Sequence, residues 1–232
     1  ILSSAINSKF GKFTPAERLQ QTLDSIASVR QRWPSADICV VEMTGVPIPE
    51  EQIQIINAQT DYFFDCTREP EVIDIYNSTD NWDIVKNTTE VMCFTNVLTK
   101  LLETGAIAEY DRVFKMSGRY LLTENFDPAY YESVTDRIVM LERKHSQFPP
   151  AVTGGKQFQY MSRLWSFDAF LLPYVRDLYT DMFNHMTDRL NAKGYIDIEH
   201  LLFHHIDPVL IENIGKLGVE GNIAPNGARV SD

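Results

Sequence analysis

Cysteine is scarce and scattered: three in 232 residues, Cys39, Cys66 and Cys93, each among apolar neighbours. An odd, unpaired set excludes a disulfide framework and reads as reduced buried thiols, the expectation for a cytoplasmic protein. None of the three sits among basic residues, which argues against a catalytic thiol. Positive charge is also short, with 21 Lys and Arg against 32 Asp and Glu and a net charge of -11. A nucleic-acid binder carries a basic footprint, so no nucleic-acid partner is expected. No apolar run nears the roughly 20 residues needed to cross a bilayer, so no membrane span is expected. Ile1–Ile6 hold no charged segment leading into an apolar one, so no secretory leader is read there. Repeats and low-complexity tracts are absent as well.

What is present suffices for one substantial core, 44% of the residues being hydrophobic. Small apolar residues over 1–7 predict a first strand ending at Asn7-Ser8-Lys9. Thr14-Pro15-Ala16-Glu17 is a helix start with a capping box, and Leu19, Leu23, Ile26 and Val29 share one face as far as Trp33. Pro34 ends that helix, and residues 36–43 read as a buried parallel strand. The first 43 residues are therefore a strand–helix–strand unit of an α/β sheet. No G-x-G-x-x-G lies between strand and helix, which excludes an ordinary dinucleotide site.

A short helix over 50–58 and a strand over 61–66 follow, then a long polar connection over 67–84. Val91, Phe94, Val97, Leu98 and Leu101 give a helix over 87–103, ended by Gly105. Strands are expected over 137–141 and 158–167, joined by a loop with Pro149-Pro150 and Gly154-Gly155. Helices are expected over 168–190 and from Asp197, before a Gly/Pro/Asn-rich tail over 221–227. The expectation is a single α/β domain over 1–232, a mixed sheet flanked by helices. Its half 1–120 would bind nucleotide, and its half 121–232 would be irregular and face the acceptor.

The chain is organised around Tyr110-Asp111-Arg112-Val113-Phe114-Lys115-Met116-Ser117-Gly118-Arg119-Tyr120. A buried strand runs through Val113–Met116 and opens into a loop at its carboxyl end, where open α/β sheets place their ligands. A hydroxyl on Ser117, a close backbone approach at Gly118 and the planar fork of Arg119 suit a phosphate. Read without a ligand, the same residues are a turn followed by a surface arginine.

The order of elements resembles the GT-A fold of nucleotide-diphosphate-sugar-dependent glycosyltransferases. The segment ending in Ser-Gly-Arg-Tyr is similar to one in a group of bacterial and viral sugar-transferase-like proteins. It stands there where other GT-A enzymes carry a metal-binding Asp-x-Asp, and Lys86 and Glu90 are similar to the Lys and Glu that precede it. The specific part of the resemblance is about a dozen residues. It implies a nucleotide-sugar donor, a carbohydrate or other hydroxyl acceptor, and transfer of a glycosyl unit between them. Asn7 and Lys9 would contact the nucleotide, and Ser117, Gly118, Arg119 and Tyr120 the diphosphate or sugar. Because no Asp-x-Asp is present, Arg119 with Lys115 or Lys86 would meet the leaving-group charge. Mn or Mg is accordingly disfavoured, and the cofactor is left open, with metal-independent transfer one reading. Asp197 or Glu199 would be the base for the acceptor, by analogy, although either also suits a helix N-terminus. Trp165 would line an acceptor groove or lie in the core.

His200 and His204, one helical turn apart in the stretch 197–207, have the spacing of a metal-chelating pair. They would make the chain a metal-dependent hydrolase. The other alternative is a non-catalytic nucleotide- or sugar-binding protein of the same fold.

Overall fold

The computed structural model describes residues 1–223 and 226–232; residues 224–225, inside the Gly/Pro/Asn-rich tail, lie outside the described residues. In chain order the elements begin β1 (Leu2–Ser4), α1 (Pro15–Arg32), β2 (Cys39–Glu42), α2 (Glu50–Asn57), β3 (Tyr62–Asp65) and α3 (Pro70–Ser78). They continue α4 (Trp82–Thr104), β4 (Arg112–Ser117), β5 (Tyr120–Leu122), α5 (Pro128–Ser133), β6 (Ile138–Leu141), β7 (Lys144–His145) and β8 (Phe158–Gln159). The last are β9 (Leu164–Asp168), α6 (Leu172–Asn191), α7 (Ile198–His205), β10 (Ile211–Ile214), β11 (Val219–Asn222) and β12 (Arg229–Ser231). Two compact units interleave along the chain. The first holds Ile1–Ser78, Lys115–Ser133 and Lys216–Asp232; the second holds Thr79–Phe114 and Val134–Gly215.

In the first unit β1 lies between β2 and β4, with β3 beyond β2, all parallel. Leu2 and Ser3 face Met116 and Ser117 on one side and Val40 and Val41 on the other. Both faces of β2 are buried, as the apolar run Cys39-Val40-Val41 requires. An antiparallel ribbon of β5, β11 and β12 completes the unit. In the second unit β6 pairs antiparallel with β9 and parallel with β10. Its core is aromatic: Phe94 lies 4.7 Å from Tyr179, and Trp165 stacks on Tyr179 at 10°. The architecture is a mixed, mostly parallel sheet with flanking helices. Among the described residues no helix is long and apolar enough to cross a membrane.

Local chemistry explains most boundaries. Thr14 Oγ1 accepts from the Glu17 amide at 3.3 Å while Glu17 Oε2 accepts from the Thr14 amide at 2.7 Å, which starts α1. Asn81 caps α4, and Gly105, in the left-handed region at φ 67°, ends it. Pro173 falls in the first turn of α6, where its missing amide hydrogen costs nothing.

Three expectations are corrected. The connection over 67–84 contains α3, because Val72 and Tyr76 are four residues apart and both buried. The strand expected over 158–167 is two strands. Glu199 accepts from the Ser162 amide at 3.1 Å and holds the intervening backbone off the ladder. The buried face of α1 is not the leucine face: Arg18, Thr22, Ser25, Ile26 and Ser28 are buried and Leu19 and Leu23 only partly so. That face meets backbone and hydroxyl groups it must satisfy. Thr22 Oγ1 sits 3.2 Å from Ser4 Oγ, and Ser28 Oγ accepts from the Leu122 amide at 3.1 Å.

Candidate functional site

In the first unit β1, β2 and β4 end at one edge, since Ser3 pairs with Ser117 and Ser4 with Glu42. The loop that leaves β1 at this edge is gathered by a residue outside the predicted set, Arg18. Its Nε donates to Phe13 O at 3.2 Å, Nη1 to Ala5 O at 3.2 Å and Nη2 to Phe10 O at 2.6 Å. The loop over 5–13 is thus wound around a guanidinium that is only 5% exposed. Asn7 Nδ2 donates to Pro47 O at 2.8 Å, and the Tyr76 hydroxyl donates to Asn7 O at 3.2 Å and accepts from the Lys9 amide. The Lys9 ammonium lies 4.9 Å from the Tyr76 ring centre and 5.0 Å from that of Phe10, a cation–π placement on an exposed side chain.

Glu42, also outside the predicted set, is fully buried at the same edge. Its carboxyl accepts from the Ile6 amide at 3.0 Å and from Thr44 Oγ1 at 2.9 Å. Burial pushes its pKa above the usual carboxylate value, against the lowering effect of those hydrogen bonds.

Arg119 is the contrasting group. Its backbone amide donates to Ser117 O at 2.7 Å, but its Nε is buried with no hydrogen-bond partner among the described residues. It lies close enough to Arg18 to lower that residue's pKa, second only to the effect of burial, while Glu42 and Tyr76 act in the opposite sense. Two guanidiniums therefore share one edge, one fully engaged by carbonyls and one not.

The other predicted residues of the segment have internal roles. The Gly118 amide donates to Ser3 O at 2.8 Å, and a Cβ at Gly118 would come within 3.0 Å of that oxygen. Its lack of a side chain thus serves the packing of β4 against β1, and its N–H is already used. Ser117 is buried, with Oγ 3.5 Å from Lys115 Nζ, and Lys115 is itself fully buried. Tyr120 is buried in β5.

The predicted residues of the second unit sit in a densely bonded neighbourhood. Asp197 caps α7 through the His200 amide at 2.9 Å and binds His200 Nδ1 at 2.6 Å. His200 Nε2 reaches Ser146 Oγ at 2.8 Å. This Asp–His–Ser chain has the connectivity of a nucleophile relay. Ser146 Oγ, however, also donates to Phe148 O at 2.8 Å and accepts from the Phe148 amide at 2.9 Å, so it closes a turn. The pairing of His200 with His204 as metal ligands is corrected: His200 has no exposed surface and both its ring nitrogens are engaged. Glu199 accepts from the Ser162 amide and hydroxyl and from Gln159 Nε2 at 3.1 Å. Burial raises its pKa, opposed by exposed Lys86. Glu90, one turn after Lys86 on α4, is buried. Trp165 is 1% exposed within the aromatic core, where it cannot line a groove.

His204 instead meets His185 and His205, the latter two being residues that the spacing argument did not select. Burial lowers the pKa of all three, that of His205 to about 4, with each neighbouring imidazole adding to the effect on His205.

No protein-family model matches the chain, and no curated protein matches it. Solved structures do. Core-mannan synthase A (CmsA/Ktr4) from Aspergillus fumigatus, in its Mn/GDP form, superposes with a TM-score of 0.54 at 13% identity. The match covers 96% of this chain and 73% of that one. A nucleoside-diphosphate-sugar pyrophosphorylase from Vibrio cholerae RC9 aligns with a TM-score of 0.49 at 11% identity, over 94% of this chain and 92% of that one. At such identities the likeness concerns fold: the chain is a mixed α/β protein with a GT-A-like sheet flanked by helices.

Proposed function

We propose that the first unit binds the diphosphate of a nucleotide-sugar at the carboxyl ends of β1 and β4, and that the protein transfers the glycosyl unit to a hydroxyl acceptor. The observation that carries this reading is Arg119, a partly buried guanidinium whose Nε lacks a partner. A buried donor left unpaired costs stability, and an acceptor from outside would relieve that cost. A diphosphate offers oxygens that match the guanidinium fork. Arg18 adds a second positive charge at the same edge. The fold is shared with the mannan synthase named above, whose structure is of an Mn/GDP form.

The donor set after β4 does not fit a divalent cation. It offers a hydroxyl, a glycine and a guanidinium where coordination by two carboxylates would be needed, and Arg119 beside Arg18 repels a cation. Charge on a departing nucleotide is met in this reading by Arg119 itself.

Calorimetry against a panel of nucleoside diphosphates tests the proposal. At least one should bind with the same affinity in EDTA, and Arg119→Ala should weaken it by about 10–100-fold, the loss of a charge-assisted hydrogen bond. Folded protein that binds none of them overturns the reading. Binding without donor consumption across an acceptor screen would leave the non-catalytic binding protein in its place.

A further inference from the structure

Helices α6 and α7 of the second unit bring three imidazoles together. His185 lies on α6, and His204 and His205 occupy the last turn of α7. His185 Nδ1 is 3.0 Å from His205 Nε2. The rings meet edge to face, with centres 5.2 Å apart for His185 and His204, 5.3 Å for His185 and His205, and 4.8 Å for His204 and His205. One nitrogen from each falls within 4.8 Å of the other two. A cation bound at about 2.0–2.1 Å by tetrahedral nitrogens holds them about 3.3 Å apart. The pair His185–His205 is already near that separation, and His204, the exposed member, needs an approach of up to about 1.5 Å.

We propose that His185, His204 and His205 form a binding site for a divalent cation of the Zn2+ type, clamping α6 to α7. Three protein nitrogens with a fourth position left to water or a ligand is a recurrent zinc arrangement, and an all-imidazole set selects zinc, copper or nickel over magnesium. The site belongs to the other unit from Arg119. Its surroundings are mixed. Asp188 acts on His185 and Asp181 on His205 in the sense that favours a cation, while Lys156 and Arg189 oppose it.

Lys156 has a specific place in this balance. Its ammonium lies 2.8 Å from His204 Nδ1. A metal at Nδ1 would have to displace it. A metal at Nε2 would need the proton on Nδ1, where the ammonium already donates. In either case Lys156 competes with the metal for His204.

The test uses the full chain, stripped of metal and titrated with Zn2+ by calorimetry and with Co2+ by visible absorption. One equivalent should bind, and Co2+ should give the intense bands of a tetrahedral nitrogen site. His185→Gln, His204→Gln and His205→Gln should each weaken binding by about tenfold or more, at least what an outer-shell loss costs. His145→Gln, at a histidine outside the cluster, should change nothing, and Lys156→Met should tighten binding. Absence of saturable binding in the folded wild-type protein overturns the proposal. So does binding that survives all three glutamine variants or is lost with His145→Gln.

Discussion

Two polar neighbourhoods, one in each unit, end in opposite states. Around α7 the polar atoms are answered from within: Asp197 binds His200, His200 binds Ser146, and Glu199 holds Ser162 and Gln159. At the edge formed by β1 and β4, Arg18 is answered by three carbonyls but Arg119 leaves a buried nitrogen unmatched. The difference separates structure from readiness. A charged group with all its partners has a task already, whereas the unmatched nitrogen of Arg119 is where the proposed diphosphate would bind.

That contrast can be broken by substitution. The largest effect belongs to the candidate lying wholly on the packed side. Trp165→Ala should cost about 3–5 kcal/mol in urea melts, as removal of a large core aromatic does, and lower activity only through unfolding. The two arginines should then part company. Arg18→Met, which orphans the carbonyls of Ala5, Phe10 and Phe13, should lower stability by about 2–3 kcal/mol. Arg119→Met should leave stability within about 0.5 kcal/mol or raise it, while weakening diphosphate binding by about 10–100-fold. Equal destabilisation by both would erase the distinction drawn between them. On the answered side, His200→Gln should cost about 1–3 kcal/mol by stranding Asp197, with diphosphate affinity unchanged.

The smallest effect is one of slope. Burial holds the Glu42 pKa above its ordinary value of 4.5, so the folded state retains a proton that the unfolded chain has lost. Its contribution to stability is full below 4.5 and is lost as pH rises through the raised folded value. Glu42→Gln should flatten the decline in stability measured above that pH. An unchanged slope would mean that Arg18 keeps the carboxylate charged in the fold.

Much of the architecture was legible because it is written in local patterns. The capping box at Thr14, the apolar run at 39–41 and the glycine at 105 each act within a few residues. Of the candidate site, the strand end at Ser117-Gly118-Arg119 was legible as a break from apolar to polar residues. Arg18 and Glu42 were not, because the backbone groups that engage them belong to a loop that only the tertiary fold winds around them. The histidines show the same limit. Spacing along one helix paired His200 with His204, whereas the cluster is made by His185, 19 residues before His204 on a different helix.

By itself the sequence determined most of the strand and helix segments, the α/β class and the edge at which a ligand is expected, since periodicity and turn chemistry act at short range. Tertiary structure alone decided which charges at that edge are satisfied and which imidazoles meet. Both depend on approaches between segments far apart in the chain, and on burial that makes an unanswered polar group costly.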